Sequence, residues 1–282
     1  MLCKSENNVN SIAKRLWNTS PASLVLALQR RRERLQWQPG WFTVKTGPAA
    51  GTQLNMPHAS TGDWLEMVEG RFDLFLYEAL KNRFNLKGAL CWDIGAHFGY
   101  HTFGFASQGA RVLAFEPNGH NAARLKMNLE KNAGLAKNIR HMPVAVGDRD
   151  GEMVFVQSGE LEGASSGSHL EEATPPLGKK AYAAFEKLTI PVAKLDTLIE
   201  KGEAAPDLLK IDIEGAEFLA LSGARKLLST KRPLILMEVH HIRLMLHIQR
   251  LFDELKYETR ILDEEHATPS RCYIMATPAP GA

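Results

Sequence analysis

A glycine turn that carries a carboxylate lies in the segment CWDIGAHFGYHT, residues 91–102. Dinucleotide-binding turns have the pattern GxGxxG, whose second glycine lets the backbone approach a pyrophosphate at a helix N-terminus. Here the glycines are Gly95 and Gly99, and His97 occupies the position of that second glycine. Asp93 would also repel a phosphate in a site of reduced dielectric. The turn therefore favours a nucleotide-like ligand without phosphate groups.

S-adenosylmethionine is such a ligand, because it has a ribose and an adenine but carries a sulfonium and an ammonium group instead of phosphates. A carboxylate at Asp93 would stabilise the cationic end, and the N–H groups of the following helix could bind the ligand's own carboxylate. Glu116 ends the next predicted strand, where an acid can accept hydrogen bonds from both ribose hydroxyls. Taken alone, these residues are also consistent with a plain turn and a surface carboxylate.

Polar residues also follow two later strands, in the segments KIDIEGAE and MEVHH. Methyl transfer is a one-step displacement, so catalysis requires positioning of the acceptor and removal of its proton. Strand alternation places Lys210, Asp212 and Glu214 on one face, which is costly unless they are paired or functional. We predict that Asp212 lies between cofactor and acceptor with Glu214 beside it. An ion pair between Asp212 and Lys210 that fixes the strand end is the alternative.

His240 is the candidate general base, because the pKa of a histidine is normally close to neutrality. A structural histidine is an equally good interpretation. Glu238 and His240 share a face, and together with Asp212 they could hold a divalent ion. The sequence shows no tight ligand spacing, so no metal is predicted. We expect His97 and His101 to shape the cofactor site or the helix start rather than to act as catalysts.

Apolar strands that are each followed by a helix predict an α/β fold with a doubly wound parallel sheet. Strands are predicted at ALCWDIG and at residues 111–116, 139–147, 207–213 and 233–239. Helices are predicted at residues 73–84, 100–108, 120–134, 216–229 and 241–255. No helix separates the last two strands, 257–263 and 271–277, which predicts an antiparallel hairpin at the sheet edge.

Three regions are predicted along the chain. Residues 1–41 form a basic amphipathic helical extension, with seven Lys or Arg against two Glu in the first 40 residues. It is interpreted as a helical face packed on the main domain or as a peripheral contact with a membrane or a partner. A β-hairpin region, 41–57, and the helix at 73–84 make up residues 42–88. The cofactor-binding core occupies residues 89–278.

An insert at about 150–195 interrupts the core. It opens with the hairpin candidate GDRDGEMVFVQS and continues into a stretch rich in Ser, Gly, Glu and Pro. Such a length inside a compact domain is usually functional or disordered. Ser165 and Ser166 could bind the acceptor there, and a flexible polar insert is the alternative.

Composition excludes several classes of protein. A net charge of +2 gives no reason to expect nucleic acid as a partner. The three cysteines form no CxxC pair, which suits a reducing compartment and argues against a zinc site. No apolar run approaches the roughly 20 residues that a transmembrane helix needs. We therefore expect a cytoplasmic protein without a transmembrane segment.

The motifs resemble those of a known family. CWDIGAHFGYHT, VLAFEPN with NLEKN after it, and LLKIDIEGAEFLALSGA followed by ILMEVHH are similar to FkbM-type S-adenosylmethionine-dependent methyltransferases. KIDIEGAE is the most specific element, and the resemblance covers roughly residues 42–277. It implies a Rossmann-like class I methyltransferase sheet of seven strands in the order 3-2-1-4-5-7-6, with an antiparallel C-terminal hairpin and helices on both faces.

The resemblance also implies the cofactor contacts. The methionine part would lie near Asp93, Gly95 and Gly99, the ribose at Glu116, and the adenine beside Ala145 and Val146. The other predicted cofactor contacts in the same turn and helix start are His97, Tyr100 and Thr102. Many methyltransferases have an acid at the position of Ala145, so backbone groups or Asp148 would have to replace it here.

These observations predict an S-adenosylmethionine-dependent O-methyltransferase that acts on a hydroxyl of a small molecule, sugar or glycan. Asp212, Glu214 and His240 are its predicted catalytic residues. A nicotinamide-dependent oxidoreductase is the first alternative, and the missing GxGxxG disfavours it. A non-catalytic Rossmann-like binding module is the second.

Overall fold

The computed structural model describes residues 38–56, 63–157, 168–173, 186–262 and 271–280. Most of the predicted basic extension, and the predicted acceptor-binding residues Ser165 and Ser166, lie outside these ranges. Within them, no helix is both long and apolar enough to span a lipid bilayer.

The strands and helices alternate along most of the chain. In chain order the strands are β1 (Gly40–Thr43), β2 (Gln53–Met56), β3 (Leu90–Ile94), β4 (Arg111–Phe115), β5 (Ile139–Met142), β6 (Ala145–Val146), β7 (Gly151–Gln157), β8 (His169–Leu170), β9 (Glu186–Ala193), β10 (Leu208–Ile211), β11 (Leu234–Val239), β12 (Tyr257–Ile261) and β13 (Cys272–Pro278). The helices are α1 (Asp63–Glu69), α2 (Leu74–Leu80), α3 (Tyr100–Ser107), α4 (Gly119–Lys131), α5 (Ala133–Ala136), α6 (Leu195–Glu200), α7 (Glu217–Ser222), α8 (Arg225–Thr230) and α9 (Ile242–Glu254).

A mixed sheet of seven strands forms the centre of the fold, in the order β12-β13-β11-β10-β3-β4-β5. The strands from β11 to β5 are parallel, and β13 is antiparallel to both β11 and β12. Numbered along the chain within this sheet, the order is 3-2-1-4-5-7-6. The carboxyl ends of β3, β4, β10 and β11 therefore meet at one edge.

Helices cover both faces of this sheet. Trp92, Ile94 and Ile211 lie in one buried cluster together with Ile248 and Phe252 of α9. On the opposite face, residues of β3 and β10 join a cluster with helices α2 and α3, whose members include Cys91, Leu208, Leu76 and Phe105. Because β3, β10 and β11 and most of β4 are buried on both faces, these strands are mainly apolar, as the sequence predicts, whereas the edge strand β5 is partly exposed.

A smaller sheet of four strands, in the order β6-β9-β7-β8, lies beside the main sheet. The predicted strand 139–147 is therefore wrong as a single element: β5 stays in the main sheet, and β6 pairs with β9 instead. The predicted hairpin in GDRDGEMVFVQS is wrong as well. The GDRDG segment does precede strand β7, but β9 lies between β6 and β7 and pairs with both.

The predicted helix 216–229 is divided into α7 and α8 at Gly223 and Ala224. A Cβ at Gly223 would lie 2.1 Å from the carbonyl oxygen of Gly147, so the two backbones are in direct contact there. The carboxylate of Asp196 accepts hydrogen bonds from the backbone of Lys226 and Leu227. Two of the free N–H groups at the start of α8 are thus satisfied by Asp196 of α6.

Candidate active site

A cavity of about 1160 Å³, counting the part open to solvent, lies at the carboxyl ends of β3, β4 and β10. This edge is where open α/β sheets bind their ligands. Seven of the predicted site residues line it: Gly95, His97, Tyr100, Glu116, Ala145, Asp212 and Glu214. Asp93, Gly99, Thr102 and His240 are not among its lining residues.

The glycine turn after β3 has the backbone that its sequence suggests. Gly95 and Gly99 have φ values of 84° and 102°, in the region that favours glycine. A Cβ on Gly95 would lie 1.9 Å from the carbonyl oxygen of Asp212. The turn therefore lies directly against the residue that follows β10, and this contact brings the predicted cofactor and catalytic segments together.

Asp93 faces the protein interior rather than the cavity. Its side chain is fully buried, and Thr102 Oγ1 in α3 donates a hydrogen bond of 2.5 Å to its Oδ2 atom. Lys210 Nζ is 3.5 Å from the other oxygen. The sequence predicts that the Asp93 charge lies against a cationic ligand, whereas in the structure that charge lies against Lys210.

Lys210 links the two strands on either side of the turn. Its Nζ atom donates to the carbonyl of Gly95 and to Oδ2 of Asp212, both at 3.3 Å. Burial would lower the pKa of this amine, but Asp212 and Asp93 outweigh it and raise the pKa, so the lysine is charged. The ion pair that the sequence analysis held as an alternative for Asp212 is therefore present, and it includes Asp93.

Glu116 lies at the cavity with both carboxylate oxygens oriented by the backbone. Oε2 accepts from the N–H of His97 at 2.8 Å, and Oε1 accepts from the N–H of Asn118 at 2.9 Å. The side chain is buried, and burial raises its pKa to about 7 despite these hydrogen bonds. The carboxylate is held rigidly at the point where the sequence predicts a ribose.

Aromatic side chains form the wall next to the turn. The imidazole of His97 is stacked on Trp64, with ring centroids 5.8 Å apart. Burial lowers the pKa of His97 to about 4, so the ring is neutral at physiological pH. The hydroxyl of Tyr100 is buried and has no hydrogen-bond partner in the described structure. It is thus available to a ligand.

The opposite wall comes from the smaller sheet and is mainly apolar. Val144, Ala145, Phe155 and Leu170 line the cavity there. The sequence analysis placed Ala145 at the adenine but missed Phe155 and Leu170. Alternation of exposed and buried residues along β7 was the available signal, but nothing in the sequence shows that β7 turns towards the cavity.

His240 lies in a group of carboxylates just beyond β11. Its Nδ1 atom is 2.8 Å from Oε1 of the fully buried Glu217, and its Nε2 atom is 3.4 Å from Oε1 of Glu238. The carboxylates of Asp212 and Glu214 are each 3.7 Å from Nε2. KIDIEGAE and MEVHH supply all five residues, but their arrangement around one imidazole was not predicted.

This environment argues against His240 as the general base. Burial alone would lower its pKa, but the surrounding carboxylates, Glu217 foremost, raise the pKa to about 10. An imidazole without a bound metal would therefore already be protonated at neutral pH. Asp212 is different, because Lys210 holds the pKa of its carboxyl below the usual value against the effect of burial, and it lines the cavity.

The sequence matches the family model described as the methyltransferase FkbM domain over residues 93–259, more than half of the chain. The chain belongs to the FkbM methyltransferase family. The FkbM match extends from Asp93 to a point within β12, and so includes the glycine turn, Glu116, Asp212 and His240. No curated protein sequence matches the chain significantly.

Solved structures of methyltransferases resemble this FkbM domain only distantly. Methyltransferase FkbM from Methylobacillus flagellatus KT is 21% identical over 67% of this chain and 43% of that protein, with a TM-score of 0.48. This chain thus spans less than half the length of that relative. Precorrin-6y C5,15-methyltransferase from Geobacter metallireducens is 12% identical over 74% and 89%, with a TM-score of 0.45. The METTL16 MTase domain is 13% identical over 80% of this chain and 72% of that domain, with a TM-score of 0.47.

Proposed function

We propose that this protein binds S-adenosylmethionine in the cavity and transfers its methyl group to a hydroxyl of a small molecule or sugar. The observation that carries the proposal is the charge of the lining. Glu116, Asp212 and Glu214 line the cavity, and the lysine that lines it, Lys210, is already bonded to Asp212 and faces Asp93. Such a lining attracts a sulfonium and an ammonium group and repels a diphosphate.

The residues present fit this cofactor. Glu116 accepts one backbone N–H at each oxygen and a further hydrogen bond from the side chain of Asn121, which leaves acceptor capacity for a ribose hydroxyl. The apolar wall of Val144, Phe155 and Leu170 suits a flat adenine. The buried hydroxyl of Tyr100 can donate to the cofactor's carboxylate, which would satisfy a group that otherwise costs free energy.

S-adenosylmethionine supplies a methyl group on a positively charged sulfur. The acceptor oxygen attacks the methyl carbon, the electrons of the broken C–S bond stay on sulfur, and the hydroxyl proton must leave. Asp212 and Glu214 are partly exposed carboxylates at the cavity and can accept that proton. Lys210 keeps Asp212 ionised and fixes its position, so the carboxylate is both proton acceptor and orienting group.

Cofactor choice is tested by the melting temperature with S-adenosylmethionine, S-adenosylhomocysteine, NAD⁺ and NADH. The two adenosyl compounds should stabilise the protein, by about 2.7 kcal/mol at a concentration of 100 times Kd. Glu116→Gln should reduce this stabilisation, whereas Glu152→Gln, an exposed residue of β7, should not. Stabilisation by NADH alone would point to an oxidoreductase. No stabilisation by either cofactor would point to a non-catalytic module.

The acceptor is tested by incubating the protein with methyl-labelled S-adenosylmethionine and a fractionated cell extract. We expect label in a small-molecule or glycan fraction, in a methyl ether. Label on nitrogen, or in the protein or nucleic-acid fraction, would contradict hydroxyl methylation while leaving the cofactor assignment intact.

A further inference from the structure

We propose that Asp212, Glu238 and His240 bind a divalent transition-metal ion beside the cavity. A carboxylate oxygen of each acid and a ring nitrogen of His240 all lie within 4.8 Å of one another. The sequence names these three residues as a possible ion site but predicts no metal, because Asp212 lies more than 20 residues before Glu238 and His240. They meet because β10 and β11 are parallel neighbours whose carboxyl ends lie side by side.

The distances between the donor atoms suit a shared ion. His240 Nε2 is 3.4 Å from Glu238 Oε1 and 3.7 Å from Asp212 Oδ1. Two donors that are each about 2.1 Å from one ion are about 3.0–3.4 Å apart at octahedral or tetrahedral angles. The donor atoms of the remaining pair, Asp212 and Glu238, lie within 4.8 Å, and Asp212 is about one-third exposed, so its carboxylate can move closer.

The orientation of His240 is a second, independent observation. Its Nδ1 atom is bonded at 2.8 Å to Glu217, a carboxylate with no exposed surface. Histidines that bind metals generally donate their other ring N–H to a carboxylate or carbonyl in this way, which fixes the tautomer. With its proton on Nδ1, the ring directs the lone pair of Nε2 at Glu238 and Asp212.

The charges around the imidazole are mainly negative. The carboxylates of this group and of the adjoining strand end are Asp93, Asp212, Glu214, Glu217 and Glu238. The cations that face them are Lys210 and Arg271. With all five acids ionised, the carboxylates exceed these cations by three charges, and a divalent ion would reduce the excess to one.

Glu238 retains an unsatisfied atom. It is 94% buried, and its Oε1 atom accepts no hydrogen bond in the described structure, although Arg271 Nε lies 3.2 Å away as an ion pair. A buried carboxylate oxygen without a hydrogen bond is costly, and a metal bond would satisfy it. This atom is also the carboxylate oxygen nearest to His240 Nε2.

One imidazole and several carboxylates suit Mn²⁺ or Zn²⁺ better than Mg²⁺, which prefers oxygen ligands and bound water. Asp212 and Glu214 line the cavity, so the ion would face the acceptor and could bind its hydroxyl oxygen, which makes the proton easier to remove. This role depends on the proposed function, whereas binding of the ion does not.

The test is a titration of the protein with Mn²⁺, monitored by the loss of the electron paramagnetic resonance signal of free Mn²⁺. We expect one site, displaced by Zn²⁺. Glu238→Gln and His240→Gln should each weaken binding at least about tenfold, the usual effect of disturbing a metal site. Glu152→Gln should bind as the unchanged protein does. Asp212→Asn is the second variant if the two buried substitutions unfold the protein.

No saturable binding at millimolar Mn²⁺ would overturn the proposal, as would equal affinity in Asp212→Asn and the unchanged protein. The first result would mean that the three residues bind no ion, and the second that any bound ion lies at another site. Mn²⁺ binding without stabilisation by S-adenosylmethionine would refute the proposed function and keep the metal site. Stabilisation by S-adenosylmethionine without Mn²⁺ binding would refute the metal site and keep the proposed function.

Discussion

Replacement of Lys210 by methionine removes the positive charge opposite Asp93 and keeps a side chain of similar shape. The two residues face each other in the β3–β10 register, with Nζ 3.5 Å from Oδ1. Two unit charges at that distance attract by about 5 kcal/mol at an effective dielectric constant of about 20. Desolvation of the lysine offsets part of this, so we expect Lys210→Met to lower the free energy of unfolding by about 3–5 kcal/mol.

The assay is urea-induced unfolding of a double-mutant cycle. Asp93→Asn should also destabilise the protein, because Lys210 then loses one of its two anionic partners. The double variant removes both charges, so it should cost about 2 kcal/mol less than the sum of the single variants. That coupling measures the buried pair itself.

Lys231→Met is the matched control. Its Nζ atom is 2.7 Å from Asp207 Oδ1, but both side chains are substantially exposed, at 43% and 38%. An exposed pair contributes about 1 kcal/mol or less. If Lys210→Met costs no more than Lys231→Met, or if the cycle is additive, then Asp93 does not depend on Lys210 for its burial.

Two further predictions concern Gly95 of the turn and Glu116. Gly95→Ala should destabilise the protein by several kcal/mol and reduce cofactor affinity, because its Cβ would meet the Asp212 carbonyl at 1.9 Å. Gly88 is the control, because its φ of +81° is close to the +84° of Gly95 but a Cβ there would have no atom within 4 Å. In chemical unfolding, Gly88→Ala should therefore show only the backbone cost of about 1–2 kcal/mol. Equal costs for the two substitutions would contradict the argument from close contact. The pKa of Glu116 is raised from 4.5 to about 7, so its contribution to stability is complete below pH 4.5 and is lost as the pH rises through 7. Glu116→Gln should therefore gain up to about 3 kcal/mol relative to the unchanged protein between pH 4.5 and pH 8, and an unchanged difference in the free energy of unfolding would contradict the raised pKa.

The sequence predicts the main sheet well because its parallel strands are buried on both faces. Segments as apolar as LLKI and LILMEV are expected in the buried centre of a sheet, and the glycine turn indicates the edge where a ligand would bind. The predicted cluster of Glu116, Asp212 and Glu214 at one cavity follows from the rule that parallel strands end at the same edge.

The features of the fold and of the site that the sequence does not predict depend on pairings between distant segments. Strand alternation gives the face of Asp93, but not that Lys210 lies directly opposite on the neighbouring strand. Likewise, β9 forms the centre of the smaller sheet although about 30 residues separate it from β7. The environment of His240 also depends on such pairings. The ordinary pKa of a histidine does not reveal that four carboxylates surround this one in the folded protein.

The contact between Gly223 and Gly147 has a consequence for how this domain can diversify. It brings the backbone beside the apolar wall of the cavity into direct contact with the junction of α7 and α8, while the polar groups opposite follow strands of the main sheet. Side chains join the same two parts, because the hydrophobic cluster of Met153, Phe155 and Ile190 also includes Ala216, and Leu219 of α7 packs against it. Exchange of the wall by recombination or design would thus have to preserve its packing against Ala216 and Leu219, so that the neighbouring carboxylates Asp212 and Glu214 keep their positions.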